Sequence, residues 1–326
     1  MDVDGNVTIK ATKKTYSQDW KAYDKAQINQ KSILMELLRD ITGKIPQPEY
    51  TFGRPTLPMS DMIYSSVMKV FTTFSLRRFM GDMEIAQERG YITKTPSYAS
   101  VGHFLQKEEL TPMLIDIVKL TSMPLVSVES DFAVDSTGFG TTNFQRWFSF
   151  KHGKEIRSKK WLKCHVVSGV KTNIITSVKV TSEFDNDSPQ LIELIKTTAE
   201  HFDMKEVSAD KAYLGKKNLD AIDELGATPY IPFKENNKAR GKGSVWKKMY
   251  YYFMMNNEEF YEHYHKRSNV ETTMHMIKSK FGDSVKSKSW TAQVNEVLCK
   301  VICHNICVVI HEMFELGIKP NFNFCV

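Results

Sequence analysis

Asp135, Asp210 and the segment Tyr264-x2-Arg267-x3-Glu271-x6-Lys278 hold the residues whose types and spacing could do chemistry. If Tyr264 to Lys278 is one α-helix, Tyr264, Arg267, Glu271 and Lys278 stand at i, i+3, i+7 and i+14, within roughly 60° of one another around the axis. One stripe then carries a phenol, a guanidinium, a carboxylate and an ammonium. The carboxylate can hold a metal ion while the cations and the phenol grip an anion with many oxygens, which describes a phosphodiester backbone better than a small acid. The same spacing also suits a solvated helix face.

What must position these groups is a sheet. From Leu125 the sequence turns to strands: Phe132 and Val134 alternate with Asp131, Ala133 and Asp135, placing both acids on one face of a short strand that ends in Ser136-Thr137-Gly138. Trp161 to Val167 and Asn173 to Val180 follow as strands. Ser188 and Pro189 open a helix through His201, Glu206 to Ala209 is a strand ending at Asp210, and Lys216 to Leu225 is a helix stopped by Gly226. Then come a strand Thr228 to Phe233, a basic segment, the Tyr264 helix and a last helix Thr291 to Leu316. This order predicts an α/β fold, a ribonuclease-H-like mixed sheet with flanking helices, over residues 125–316. Asp135 ends the first strand and Asp210 the fourth, so adjacent strand ends and a facing helix would gather Asp135, Asp210 and Glu271. Three crowded carboxylates repel, with raised pKa values, unless cations intervene. Two divalent ions resolve the conflict and make a phosphoryl-transfer clamp; hard oxygen ligands favour Mg²⁺ or Mn²⁺.

Residues 1–124 read as an all-helical region. Its helices run from Asp19 to Ile41, from about Ser60 with Ile63, Val67, Val70, Phe71 and Phe74 at helical spacing, from Ser97 to Gln106, and from Thr111 to Leu120. In the last of these Thr111 is the expected N-cap and Pro112 the first helical residue. The final pair could be a helix-turn-helix, but Lys107-Glu108-Glu109 is no tight turn and the second helix is not basic, which fits a packed hairpin better. Residues 317–326 form a tail.

Net charge is +6 over 326 residues. Lys151–Lys163, Lys234–Lys248 and Lys278–Lys288 hold sixteen Lys and Arg against three acids, so the rest of the chain is net −7. Focused basic segments are the footprint of a polyanion. Lys159 and Lys160 in the first, and Lys247 and Lys248 beside Trp246 in the second, are the candidate contacts. No apolar leader follows Met1, and Lys69, Arg77 and Arg78 interrupt the apolar run Met62 to Met80, which points to a cytosolic chain without a membrane span. Five cysteines form no disulfide framework. Cys299, Cys303, Cys307 and His311 line one helix face; a straight helix cannot wrap four ligands around a zinc ion, and the face reads as small apolar packing.

Asp135-Ser-Thr-Gly, Ser208-Ala-Asp210-Lys-Ala-Tyr213 and the Tyr264, Arg267, Glu271, Lys278 spacing together resemble the DDE transposases of prokaryotic insertion sequences, at every position of that group's Y-R-E-K signature (transposase family 11-like). Gly53-Arg54-Pro55 and the helices after it also look like the N-terminal part of such proteins. The resemblance implies Mg²⁺-dependent or Mn²⁺-dependent cleavage at terminal inverted repeats, then attack of a 3′-hydroxyl on target DNA. It assigns metal binding and catalysis to Asp135, Asp210 and Glu271, and contacts with transposon-end DNA to Tyr264, Arg267 and Lys278. It further implies a homodimer on double-stranded DNA, in the nucleoid, with a helical N-terminal region for binding and assembly. Where some relatives carry a large β-rich insertion before the glutamate, residues 234–258 offer a short basic one. The rival is a catalytically silent DNA-binding or regulatory protein derived from a transposase.

Other residues have competing readings. Asp131 shares the face of Asp135 and rivals it as first ligand; Glu129 is ambiguous; Asp185, Asp187 and Asp203 read as solvated loop acids. Trp246 amid positive charge either stacks on an unpaired base or packs its segment beside Met249 and Tyr250. The basic segments imply at least about six phosphate contacts, so DNA affinity should fall by about three orders of magnitude between about 50 and 200 mM salt. Fluorescence anisotropy at several salt concentrations checks this, and a flat response contradicts it.

Overall fold

The computed structural model describes residues 19–49, 52, 56–141, 151, 160–239 and 243–322. Its centre is a five-stranded sheet of β1 (Asp131–Gly140), β2 (Trp161–Gly169), β3 (Ile175–Ser182), β4 (Glu206–Ala209) and β5 (Thr228–Tyr230), in the order β3-β2-β1-β4-β5. β1 pairs antiparallel with β2 and parallel with β4; β2–β3 is an antiparallel hairpin and β4–β5 is parallel. Alternation along the central strand divides two cores. Phe132 and Val134 face one, with Val167, Leu191, Ile195, Val207 and Leu219. Ala133 and Phe139 face the other, with Val166, Val270, Ile277 and Val301. A central strand buried on both faces has little freedom to slip, since a one-residue shift would exchange its two side-chain sets.

Among the described residues, five helices precede the sheet: α1 (Trp20–Thr42), α2 (Met59–Phe71), α3 (Met80–Glu88), α4 (Tyr98–Phe104) and α5 (Leu110–Ser122). Asp19 caps α1, accepting from the Lys21 and Ala22 amides, and Leu34, Leu37, Leu38 and Ile41 form its buried face. Three expectations change here. Phe74 lies beyond the end of α2 and is exposed. The helix α3 was not anticipated. α5 starts at Leu110, and Thr111 is not its cap; the Thr111 hydroxyl instead donates to Asn295 Oδ1, 2.7 Å away. Gly53-Arg54-Pro55 lies outside the described residues.

Between and after the strands come α6 (Leu191–Ala199), α7 (Lys216–Glu224), α8 (Val245–Met255), α9 (Asn257–Tyr264), α10 (Ser268–Phe281) and α11 (Trp290–Glu315). The short basic interval 234–258 is helical from Val245 to Met255, and α9 begins at Asn257. The expected single helix from Tyr264 to Lys278 is broken. α9 ends at Tyr264, His265–Arg267 make a 3₁₀ turn, and α10 begins at Ser268.

Among the described residues the most apolar long helix is α11, not the Met62 to Met80 run; 83% of its most hydrophobic window is buried inside the protein. It runs through a core shared by α1, α2 and α5 and one face of the sheet, with Cys299, Cys303 and Cys307 inside. Burial pushes the Cys307 thiol up to about 11 and raises those of Cys299 and Cys303, so these thiols stay protonated and pack as apolar groups.

A helix buried all round must find partners for every polar group it carries. Asn295 Nδ2 donates to the Leu105 and Lys107 carbonyls. Asn305 accepts from the Ile175 amide at 2.9 Å and donates to the Ile175 carbonyl at 2.7 Å, to Thr121 Oγ1 and to the Val118 carbonyl. Asn305 thus ties α11 to both β3 and α5. Asn305→Ala leaves these groups buried without partners and should destabilise the fold by about 2–4 kcal/mol, read as a lower urea midpoint at unchanged slope.

Candidate active site

β1 and β4 run parallel in register, Val134 beside Ala209. Asp210 follows β4 directly, and Asp135 is the next residue along β1. Strands stand about 4.8 Å apart, so the two carboxyl-bearing residues are neighbours by construction. Asp135 does not end its strand, as expected from Ser136-Thr137-Gly138. It sits mid-strand, because pairing with β2 continues from Asp135–Val166 to Gly140–Trp161. Asp210 caps a short 3₁₀ turn, Lys211–Tyr213, accepting from the Lys211 amide.

Glu271 stands in the first turn of α10, which packs over β1 through Val270, Met274 and Ile277. Arg267 joins the acids: Nη1 lies 2.7 Å from Asp135 Oδ2 and Nη2 2.5 Å from Glu271 Oε1. The Asp135 carboxyl is held above the usual carboxylate range. Burial is the largest cause, and Asp210 and Glu271 push it further, while the Ser136 amide at 2.8 Å and Arg267 pull it down. The structure therefore brings the three predicted acids together. Glu271 is exposed, with 58% of its side chain open, so this edge faces solvent.

Tyr264 and Arg267 belong to the same constellation. The guanidinium lies 6.0 Å from the phenol ring centre. Burial raises the Tyr264 hydroxyl, with Arg267 and Asp210 acting on it in opposite senses. Lys278 is elsewhere, two turns along α10, with its Nζ 5.6 Å from the ring centre of Phe139. Trp246 packs edge-on to Phe233 at 5.0 Å and donates its indole N–H to the Lys238 carbonyl, which is the packing arrangement its sequence context allowed. Lys247 lies over the Tyr251 ring, and Lys248 and Lys160 are exposed. Lys159 lies outside the described residues.

The rival acids resolve. Glu129 is buried and accepts from the Lys171 and Thr172 amides and the Thr172 hydroxyl, closing the β2–β3 turn. A Cβ at Gly169 would come within 2.4 Å of it. Asp131 is engaged by Lys266 at 2.7 Å. Asp185 holds a local turn through the Ser182 amide and hydroxyl, and Asp203 is exposed.

Asp187 corrects the expectation of a free loop acid. Its Oδ1 accepts from Ser136 Oγ at 3.1 Å and Lys163 Nζ at 3.0 Å, and His165 Nδ1 stands 3.4 Å away. Tyr213 is buried beside it, its hydroxyl raised by burial and by the Asp187 and Asp135 carboxylates. This network lies under β1 at the level of Asp135. The only signal for it in sequence was adjacency, Ser136 to Asp135 and Tyr213 to the Asp210 motif.

The donor set is all oxygen, with three carboxylates against one guanidinium and one carboxyl already disfavoured as an anion. Such a site fits divalent cations. The family comparison agrees: the model described as "Transposase DDE domain" matches residues 127–306. The chain belongs to the DDE transposase family. DDE transposase domains generally use divalent metal ions, and the match spans Asp135, Asp210 and Glu271 together. Among solved structures, a cryo-EM structure of the piggyBac transposase synaptic complex with hairpin DNA is similar over 89% of this chain and 74% of that one. It has 12% identity and a TM-score of 0.40, a likeness too distant to carry residues or function across.

The raised Asp135 pKa has a sign. Between the unfolded-chain value and the raised folded value, the folded transposase binds more protons, so stability falls as pH rises through that window. Above it the full penalty of the ionised carboxylate is present. In metal-free buffer Asp135→Asn should therefore raise Tm at neutral pH, with the gain shrinking as pH falls through the carboxylate range. Thermal melts with EDTA from pH 4 to 8 check this, and a constant loss of Tm contradicts it.

Proposed function

We propose that this chain is a DNA transposase that cuts at the terminal inverted repeats of an insertion sequence and joins the 3′-hydroxyl ends to target DNA. The observation that carries the reading is the convergence of Asp135, Asp210 and Glu271 around Arg267 at the solvent-facing edge of β1 and β4. The strand order, a three-stranded antiparallel meander β3-β2-β1 extended by the parallel strands β4 and β5, supports a ribonuclease-H-like catalytic domain over 125–316, with residues 1–124 serving DNA binding and assembly. The α11 core shared by both regions would transmit that assembly to the site.

Asp135, Asp210 and Glu271 would hold two Mg²⁺ or Mn²⁺ ions. When bound, such ions polarise the scissile phosphate and stabilise the attacking and leaving oxygens. The chain's own residues supply the rest. Arg267, freed from its carboxylates, can grip a phosphate bidentately. Tyr264 offers a hydroxyl held protonated by burial, a donor rather than a base. Lys278, two turns away, adds a point charge along the same helix, which suits an extended backbone rather than a small phosphate. The DNA is double-stranded, at the element ends and the target, bound by a homodimer in the cytoplasm. Presence of all three acids in one cluster favours the enzyme over a silent DNA-binding descendant.

Asp135→Asn, Asp210→Asn and Glu271→Gln should each lower end cleavage by more than about 10²-fold while end binding in EDTA persists, because phosphate contacts dominate affinity. Mapping 3′ ends after incubation with flanking DNA and Mg²⁺ provides the readout. Near wild-type cutting by any of the three variants removes that residue from the site. Arg267→Ala should weaken binding more than Lys278→Ala.

A further inference from the structure

The turn that interrupts the helix carries two consecutive cations, and they do different things. Arg267 meets Asp135. Lys266 meets Asp131 and Glu206, 2.7 Å from each. Those two acids are direct cross-strand partners in the β1–β4 ladder, a like-charge rung that is unfavourable unless a cation sits on it. Lys266 is that cation. His263, at the end of α9, approaches the same rung with Nδ1 2.9 Å from Glu206 Oε1, and its ring stacks on Tyr230 of β5 at 4.5 Å. The side chains of Lys266, Asp131 and Glu206 are 30%, 27% and 19% exposed, so solvent screens this cluster less than an ordinary surface pair.

Asp131 and Asp135 lie four residues apart on one face of β1, about 13 Å along the strand. Two contacts at that separation fix both the height and the tilt of the turn from which α10, and Glu271 with it, projects. The Arg267 contact uses carboxylate oxygens that the divalent cations of the proposed reaction would need. The Lys266 contact does not. We propose that Lys266, seated on Asp131 and Glu206, is a positioning residue that keeps Glu271 within reach of Asp135 and Asp210 when Arg267 leaves them. This rests on the metal-dependent reading above. It also accounts for Asp131: its carboxylate lies on the face of the site as an anchor, with its charge taken by Lys266.

The test is a Mn²⁺ titration of the full-length protein without DNA, read by thermal shift and by calorimetry, beside DNA binding in EDTA. Lys266→Met should raise the half-saturating Mn²⁺ concentration about 10- to 100-fold, the range for residues that orient metal ligands. Its DNA affinity in EDTA should not change, and excess Mn²⁺ should restore cleavage. Lys266→Arg should recover most of the Mn²⁺ affinity. Glu206→Gln, which leaves the Lys266–Asp131 pair, should give a smaller shift in the same direction and stands in if Lys266→Met fails to fold. A lower Tm with unchanged Mn²⁺ affinity would show a merely structural ion pair and overturn the proposal. Loss of DNA affinity in EDTA matching that of Arg267→Ala would make Lys266 a phosphate contact and overturn it too. A wild type that ignores Mn²⁺ contradicts the metal-dependent reading itself, and the proposal falls with it.

Discussion

Asp135, Asp210 and Glu271 repel one another, and their shared counter-charge is the constraint on which the arrangement depends. Arg267 supplies it within the chain, one guanidinium bridging Asp135 and Glu271. A single positive charge does not balance three carboxylates, and the Asp135 carboxyl remains harder to ionise than usual. The site is therefore held together but left short of positive charge, which makes it receptive to cations of higher charge. The parallel pairing of β1 and β4 sets the first two acids side by side; only Glu271 depends on a separate element, and so the placement of α10 decides whether there is a site at all.

That placement is secured at both ends of α10. At its start the 3₁₀ turn sits on the sheet through Lys266 and Arg267. At its end Gly282 adopts a positive φ of 84°, and the chain returns so that Ser284 bridges to Gly140 at the far end of β1. Lys300 on α11 holds this return, donating to the Gly282 and Ser284 carbonyls at 2.7 and 2.8 Å. Burial lowers its pKa to about 8, against which the two carbonyl dipoles and the face of Phe139, 5.2 Å away, favour the ammonium. Glu296, one turn earlier on α11, accepts from the Lys286 and Ser287 amides. The helix that organises the N-terminal core therefore also braces the helix that carries Glu271.

Much of this was legible in sequence because it is local. Val207 and Ala209 followed by a polar residue mark a short buried strand with Asp210 at its end, and the alternation around Asp131 and Asp135 gives the correct face. The misreadings share a cause, long-range pairing that overrides local pattern. Ser136, Thr137 and Gly138 have turn character, yet pairing with β2 carries the strand to Gly140. Tyr264 to Lys278 has a helical pattern, yet its cations contact strands more than 130 residues away in sequence, and the backbone is 3₁₀ where they do so. Asp187 looked solvated because Ser136 and Lys163 are distant in sequence. Trp246, read as either packing or stacking on a base, packs on Phe233 and the Lys238 carbonyl of the preceding segment.

The most direct test of the account is a crystal structure of the DNA-free protein soaked with Mn²⁺, read by anomalous scattering. Density is expected between Asp135 and Asp210 within reach of Glu271, with Arg267 displaced from Asp135 and the Lys266 contacts to Asp131 and Glu206 intact. Manganese bound only elsewhere, for instance at the His311–Glu312–Glu315 cluster on α11, with the Arg267–Asp135 pair undisturbed, would contradict it.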